Sequence, residues 1–163
     1  MNLNKVQKIL EDELTLLAND LKDKHIELGM KASGNWVQKV TTLAEVTGQM
    51  IVGALVVPNY TKQLTDGRKP GRMPPIDEIE QWIQDKNLLA KVDNDITLRG
   101  LAYVIARKIG EQGTKYFRQG GTDLMSSVAT EERINSIIQK VYNEIVSTFV
   151  VDVRTRYQEF AEI

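Results

Sequence analysis

The chain contains no cysteine among its 163 residues and only one histidine, His25. The missing thiols exclude disulfides, thiol nucleophiles, zinc knuckles and iron–sulfur clusters. Without a second histidine, a zinc site would need an unusual shell made only of carboxylates. A lone helical histidine is far more often a packing or surface residue than a catalytic one, because catalysis needs a partner acid or base. We therefore expect no metal and no cofactor.

The chain also lacks a charge excess and long apolar runs. It has 21 Lys and Arg against 22 Asp and Glu, for a formal net charge of −1. A general polyanion binder is clearly basic, so the charge balance disfavours dedicated nucleic-acid binding. No apolar run approaches the roughly 20 residues that span a bilayer. Because charges return at residues 11–13, the N-terminus shows no signal-peptide pattern. We expect synthesis and use in a cytoplasm, without membrane contact.

Motifs for catalysis and phosphate binding are missing as well. The sequence has no phosphate loop, no dinucleotide-binding glycine pattern and no nucleophile elbow. Carboxylates are plentiful, but they form adjacent pairs such as Asp77-Glu78 and Glu131-Glu132, which are typical of solvated helix starts. The sequence predicts a protein that is not an enzyme, with no catalytic, cofactor-binding or metal-binding residues. An enzyme built on carboxylates and a metal is the remaining alternative of that class.

The composition is that of a folded chain, with 42% hydrophobic and 26% charged residues. The apolar pattern predicts the α+β class, with a small antiparallel β-hairpin or meander flanked by helices and long helices at both ends. We expect a single domain over residues 1–163. Its parts would be an N-terminal helix in 1–30, an α+β core in 31–125 and a C-terminal helical segment in 126–163.

Helical spacing of apolar residues predicts four helices, at residues 3–28, 76–86, 97–111 and 131–157. Alternation predicts a strand at Trp36–Val46, and the more apolar run Met50–Val57 predicts a second strand, joined to the first by a turn at Thr47-Gly48-Gln49. The β-branched residues of 146–153 leave a strand or a break open inside the last helix.

The buried faces of these elements follow from the same spacing. Trp36, at the start of the first strand, and Trp82, on the inner stripe of the second helix, are predicted to be core residues. The third helix is predicted to bury four apolar residues, Leu101, Val104, Ile105 and Ile109. Residues 113–125 are predicted to form a glycine-containing loop that exposes Tyr116 and Phe117.

A basic loop between Gly67 and Pro75 is the one segment with a functional pattern. It carries Arg68, Lys69 and Arg72, and its prolines restrict the backbone. Such a loop can be a solvated connection, an interface for carboxylates of another protein, or a contact for a phosphate backbone. We take the three basic residues as the candidate interface. A nucleic-acid-associated protein that uses this loop is the alternative function.

Several motifs follow one another in the middle of the chain. They are Ala32-Ser33-Gly34, the hairpin ending near Val57, Tyr60, Leu64, Gly67-Arg68-Lys69-Pro70-Gly71, Pro74-Pro75, Ile79-Glu80-Gln81-Trp82-Ile83 with Lys86, Leu101-Ala102 to Ile109, and Gly113-Thr114. Over residues 25–120 this arrangement resembles the small neck, head–tail joining and tail-completion proteins of tailed bacteriophages, often labelled minor tail or virion-morphogenesis proteins.

The resemblance implies a structural protein of the virion, assembled in the host cytoplasm. It implies a homo-oligomeric ring at the portal–tail junction, with portal, adaptor or tail proteins as neighbours. It implies neither cofactor nor catalysis, and contact with nucleic acid would be incidental at most. The segment from Thr130 onward matches less well. The positions carried over from the family are those of the Gly67–Pro75 loop, as contacts with subunits or neighbours.

Overall fold

The computed structural model describes residues 3–47, 50–92 and 96–161. It combines helices with one two-stranded antiparallel sheet, which confirms the predicted α+β class with long helices at both ends. The chain divides into two compact units. Unit 1 comprises residues up to Lys22, Val40–Val56 and residues from Ser126 onward, whereas unit 2 comprises Asp23–Lys39 and Val57–Met125. The expected single domain over 1–163 stays a prediction.

Unit 1 contains most of the first helix, the two strands and the last helix. Helix α1 (Leu3–Glu27) supplies its residues up to Lys22, and strands β1 (Thr41–Thr47) and β2 (Met50–Val56) form the hairpin. The hairpin pairs Thr41 with Val56 at its open end. The inner stripe of α1 is buried as its spacing predicts, at Val6, Leu10, Leu14, Leu17 and Leu21.

Helix α7 (Glu131–Ala161) runs antiparallel to α1 within unit 1. Three ion pairs fix this direction, because their α1 partners descend in number as the α7 partners rise: Asp20–Arg133 at 2.6 Å, Glu13–Lys140 at 2.5 Å and Lys5–Glu144 at 2.9 Å. Thr130 caps the start of α7, since the Arg133 N–H donates to Thr130 Oγ1 at 3.2 Å. The helix is continuous through 146–153 and ends four residues beyond the predicted end at 157.

Unit 2 contains the remaining helices. They are α2 (Asn35–Lys39), α3 (Thr61–Asp66), α4 (Ile76–Asp85), α5 (Leu98–Gln112) and α6 (Lys115–Arg118), with a 3₁₀ turn at Leu89–Lys91. Helices α4 and α5 pack against each other. Buried apolar side chains of the unit include Ile83, Ala102, Ala106 and Leu124. No described helix of either unit is long and apolar enough to cross a membrane.

The assignment of Trp36 to a strand is wrong, although its assignment to the core is confirmed. Trp36 lies in α2, and β1 begins only at Thr41. Its indole is buried by stacking on His25, and its Nε1–H donates to Thr61 Oγ1 at 2.8 Å. Trp36 and Val40 are four residues apart, so the spacing taken for strand alternation is equally that of a helix face. The predicted turn residues Gly48 and Gln49 lie outside the described residues.

Two other burial predictions are wrong, and one loop is partly helical. Trp82 is 38% exposed and Val104 is exposed as well. The fully buried residues of helix α5 are instead the small side chains Ala102 and Ala106. Within 113–125, the short helix α6 interrupts the predicted loop.

Candidate interaction site in unit 2

The Gly67–Pro75 loop is held in place by backbone hydrogen bonds to the end of α5 and the start of α6. The Gly71 N–H donates to the Gly110 carbonyl at 2.7 Å. The Arg68 N–H donates to Thr114 Oγ1 at 2.8 Å, and the Thr114 N–H donates back to the Arg68 carbonyl at 2.9 Å. Two motifs that lie about 45 residues apart in the sequence are therefore in direct contact. The loop is an ordered platform rather than a free connection.

Two glycines make this close approach possible. Gly67 has φ +75°, and a Cβ built on it would lie 2.1 Å from the backbone nitrogen of Phe117. Gly113 also has φ +75°, and its Cβ would lie 2.7 Å from the Arg68 carbonyl oxygen. Any side chain at either position would displace backbone atoms. The glycines of both motifs therefore have a packing role in addition to their conformational one.

The three predicted interface residues are not equivalent. Arg68 is half-buried, and its guanidinium donates through Nη2 to the Arg72 carbonyl at 2.8 Å. Arg68 thus braces the loop from inside. Lys69 and the Arg72 side chain are exposed, and neither forms an ion pair with a carboxylate of the described residues. Of the three, Lys69 and Arg72 are the ones presented to a partner.

An apolar groove of about 560 Å³ adjoins the loop through Gly113 and Thr114. The apolar part of its lining consists of Leu64, Ile79, Trp82, Ile105, Ile109 and Tyr116. Trp82, on the exposed side of α4, is the largest of these residues. An indole that is partly exposed in a groove can bury additional area against a second molecule without any rearrangement of the protein.

The rim of the groove is mostly basic. Lys108, Lys115 and Arg118 line it together with a single carboxylate, Glu78. Arg118 is oriented by its Nη1, which donates to Gln112 Oε1 at 3.2 Å. Together with the exposed cations of the neighbouring loop, this rim favours a ligand that carries carboxylates around an apolar centre.

Tyr116 closes one side of the groove as a neutral phenol. Burial raises the pKa of Tyr116 above its ordinary value near 10. Its hydroxyl donates to the Leu28 carbonyl at 3.4 Å. This hydrogen bond to a backbone carbonyl holds the Tyr116 ring in position at the groove.

The arrangement can bind a ligand through apolar contacts and charge. Within the described part of the chain, no group of three or more His, Asp or Glu residues is placed to hold a metal ion. The groove brings together apolar side chains, three cations and one carboxylate, with no nucleophile beside a base. Sequence reasoning found the loop but missed the groove, because it placed Trp82 inside. The available signal for the groove was the pair of basic residues Lys115 and Arg118, which flank Tyr116 in the sequence.

Comparison of the chain with protein-family models, with curated proteins and with solved structures finds no match. What the protein binds is therefore inferred from the chemistry of its own surface.

Proposed function

We propose that this protein is a structural component of a tailed-phage virion, a subunit of the neck, head–tail joining or tail-completion ring. Its partners would be copies of itself and the adjoining portal, adaptor or tail proteins, and it would be assembled into the virion in the host cytoplasm. The motif order over residues 25–120 supports this proposal. In this role the protein is not an enzyme and uses no cofactor.

One observation carries the proposal: a rigid basic loop and an apolar groove lie side by side in unit 2. Preformed loops lose little conformational entropy on binding, and partly exposed tryptophans rank among the residues that contribute most to protein interfaces. A ring requires head-to-tail contacts, in which one patch of a subunit meets a different patch of the next. The loop and groove would form one such patch, and its partner would be an apolar segment bearing carboxylates.

A protein partner fits this surface better than a nucleic acid does. The groove is largely apolar and includes Glu78, whereas binding to a phosphate backbone depends on several cations that face it together. The whole chain is nearly neutral. Contact of Lys69 or Arg72 with packaged DNA would be incidental to assembly. If nucleic-acid binding were the main function, affinity for DNA should fall steeply with salt.

The proposal is tested by reversing the two exposed loop charges. A Lys69→Glu/Arg72→Glu variant should melt like the wild type, because exposed charges affect folding little. It should fail to enter particles assembled with the variant in place of the natural chain, because like charges facing each other across an interface cost several kcal/mol. Arg68 is left unchanged because its side chain braces the loop.

The matched control is Lys31→Glu/Lys39→Glu, which makes the same charge change at exposed positions of unit 2 that belong neither to the loop nor to the lining of the groove. This control should enter particles normally. Normal incorporation of the loop variant would overturn the assignment of the loop as an interface. A large fall in melting temperature of the loop variant would instead assign it to folding.

A further inference from the structure

Helix α7 carries a stripe of exposed apolar side chains along one side of its second half. Six residues spaced three or four apart, or adjacent, form this stripe: Tyr142, Val146, Phe149, Val150, Val153 and Tyr157. Each is between 40% and 75% exposed. At 100° per residue they fall within about 100° of the helix circumference, the width of an apolar face made to be covered.

Residues 149–158 of α7 are largely exposed in a single copy. Among the ion pairs between described residues of α1 and α7, Lys5–Glu144 is the one nearest the end of α7. From Phe149 to Gln158 every residue except Asp152 is exposed. This stretch contains Val150, Val151 and Val153, and valine is a weak helix former. Isolated helices shorter than about 12–15 residues are marginal in water. The end of the helix therefore needs a partner.

The stripe reads almost the same in both directions. From either end the order is Tyr, then Val four residues on, then a large apolar residue three further on. If two copies of α7 cross antiparallel about a point between Phe149 and Val150, like residues meet. Tyr142 faces Tyr157 of the other copy, Val146 faces Val153, and Phe149 faces Val150. A two-fold contact requires such a self-complementary patch.

Charges and area agree with this register. Asp152 would face Ser147 of the other copy and Arg156 would face Asn143, so neither meets a charge of its own sign. Complete burial of the six exposed side chains would remove on the order of 600 Å² from each copy and about 1,200 Å² in total. That total reaches the lower end of the range for specific protein interfaces.

We propose that two copies of this chain pair through an antiparallel contact of their α7 helices, with the two-fold axis between Phe149 and Val150. The largely exposed part of each α7, residues 150–157, then packs on the part of the other copy's α7 that lies against its own α1. Each copy supplies the cover that the other lacks. The pairing does not rest on the proposed neck function, because a two-fold contact uses one patch twice whereas a ring uses two different patches.

The natural absence of cysteine allows a direct test of the register. The Val146→Cys/Val153→Cys variant should form disulfide-linked dimers on mild oxidation, because the two positions face each other between copies. Each single variant should stay unlinked, since its two sulfurs would be separated by about 10 Å along the helix axis at 1.5 Å per residue. Non-reducing gel electrophoresis reads out both results. Linked single variants would show a parallel pair, and an unlinked double variant would exclude the proposed register; either result overturns the proposal.

A second measurement tests the contact without oxidation. Phe149→Glu should weaken the dimer on the order of a hundredfold in sedimentation analysis, because it places a charge at the two-fold axis of each pair. Val151→Glu is the matched control, since Val151 is equally exposed but lies on the opposite side of α7. The control should dimerise like the wild type. A monomeric wild-type protein, or equal effects of the two substitutions, would overturn the proposed contact.

Discussion

The imidazole of His25 stacks on the indole of Trp36, with ring centroids 4.3 Å apart and ring planes inclined by 12°. Both rings are buried, and neither nitrogen of His25 has a hydrogen-bond partner among the described residues. Burial, and to a lesser extent the positive charge of Lys86, lowers the pKa of His25 below its ordinary value near 6.5. The folded protein therefore holds this histidine neutral.

This pair predicts a loss of stability in mild acid. As pH falls below about 6.5, His25 of the unfolded chain takes up a proton while the folded protein does not. The unfolded state then binds more protons, so the free energy of unfolding falls by up to about 1.4 kcal/mol per pH unit. His25→Phe, which keeps a stacked ring, should flatten this part of a melting-temperature curve. Parallel curves for the two proteins would contradict the assignment.

The hydrogen bond from Trp36 to Thr61 predicts energetic coupling between these residues. Thr61 Oγ1 accepts from the indole at 2.8 Å and donates to the Pro58 carbonyl at 2.6 Å. Thr61→Val leaves a buried N–H without a partner, which costs about 1–3 kcal/mol. In a double-mutant cycle with Trp36→Phe, measured by urea unfolding, the combined loss should be smaller than the sum by about 0.5–3 kcal/mol. Strict additivity would mean that the bond contributes nothing.

Two glycines with positive φ should differ in how well they accept a side chain. Gly67 and Gly29 have similar positive φ values of +75° and +66°, but a Cβ at Gly29 has nothing within 4 Å. Gly29→Ala should cost about 1–2 kcal/mol for the left-handed conformation alone. Gly67→Ala should cost clearly more, because its Cβ would displace the backbone of Phe117 and because its φ of +75° with ψ of 179° is a conformation essentially restricted to glycine. Equal losses of melting temperature would show that the backbone around Gly67 and Phe117 can shift at little cost.

Neighbouring residues of α4 should differ sharply in their effect on stability. Ile83 is fully buried, so Ile83→Ala should cost about 2–5 kcal/mol in the free energy of unfolding. Trp82→Ala should cost less than the roughly 3–5 kcal/mol of a buried tryptophan, because its indole lines an open groove. Chemical denaturation of both variants checks the order. A larger loss of unfolding free energy for Trp82→Ala than for Ile83→Ala would indicate that Trp82 is a core residue.

The long amphipathic elements were predictable because local spacing determines which side they bury. The α1 stripe from Val6 to Leu21 and the start of α7 at Thr130 follow from apolar period and capping alone. The hairpin also followed, since a short turn containing glycine separates two runs of strand length. In each case the information lies within about ten residues of the chain.

Prediction failed where size or distant contacts decided the outcome. The hydrophobicity pattern predicted that Val104 would be buried, yet in α5 the small Ala102 is buried and Val104 is exposed. The basic loop was visible in the sequence, but its attachment to Gly110 and Thr114 joins residues far apart along the chain. The groove beside it depends on the same contacts, so no local pattern could show it.

Unit 1 is assembled from three separate stretches of chain, and the last of them is α7. On the ribosome, every residue of unit 2 is made before α7 is complete, so unit 2 can fold first. The apolar stripe of α1 is synthesised first, but the α7 of the same chain can pack against it only near the end of translation. A nascent chain stalled near residue 125 should therefore recruit chaperones through residues 3–22, and release should coincide with synthesis of the final helix.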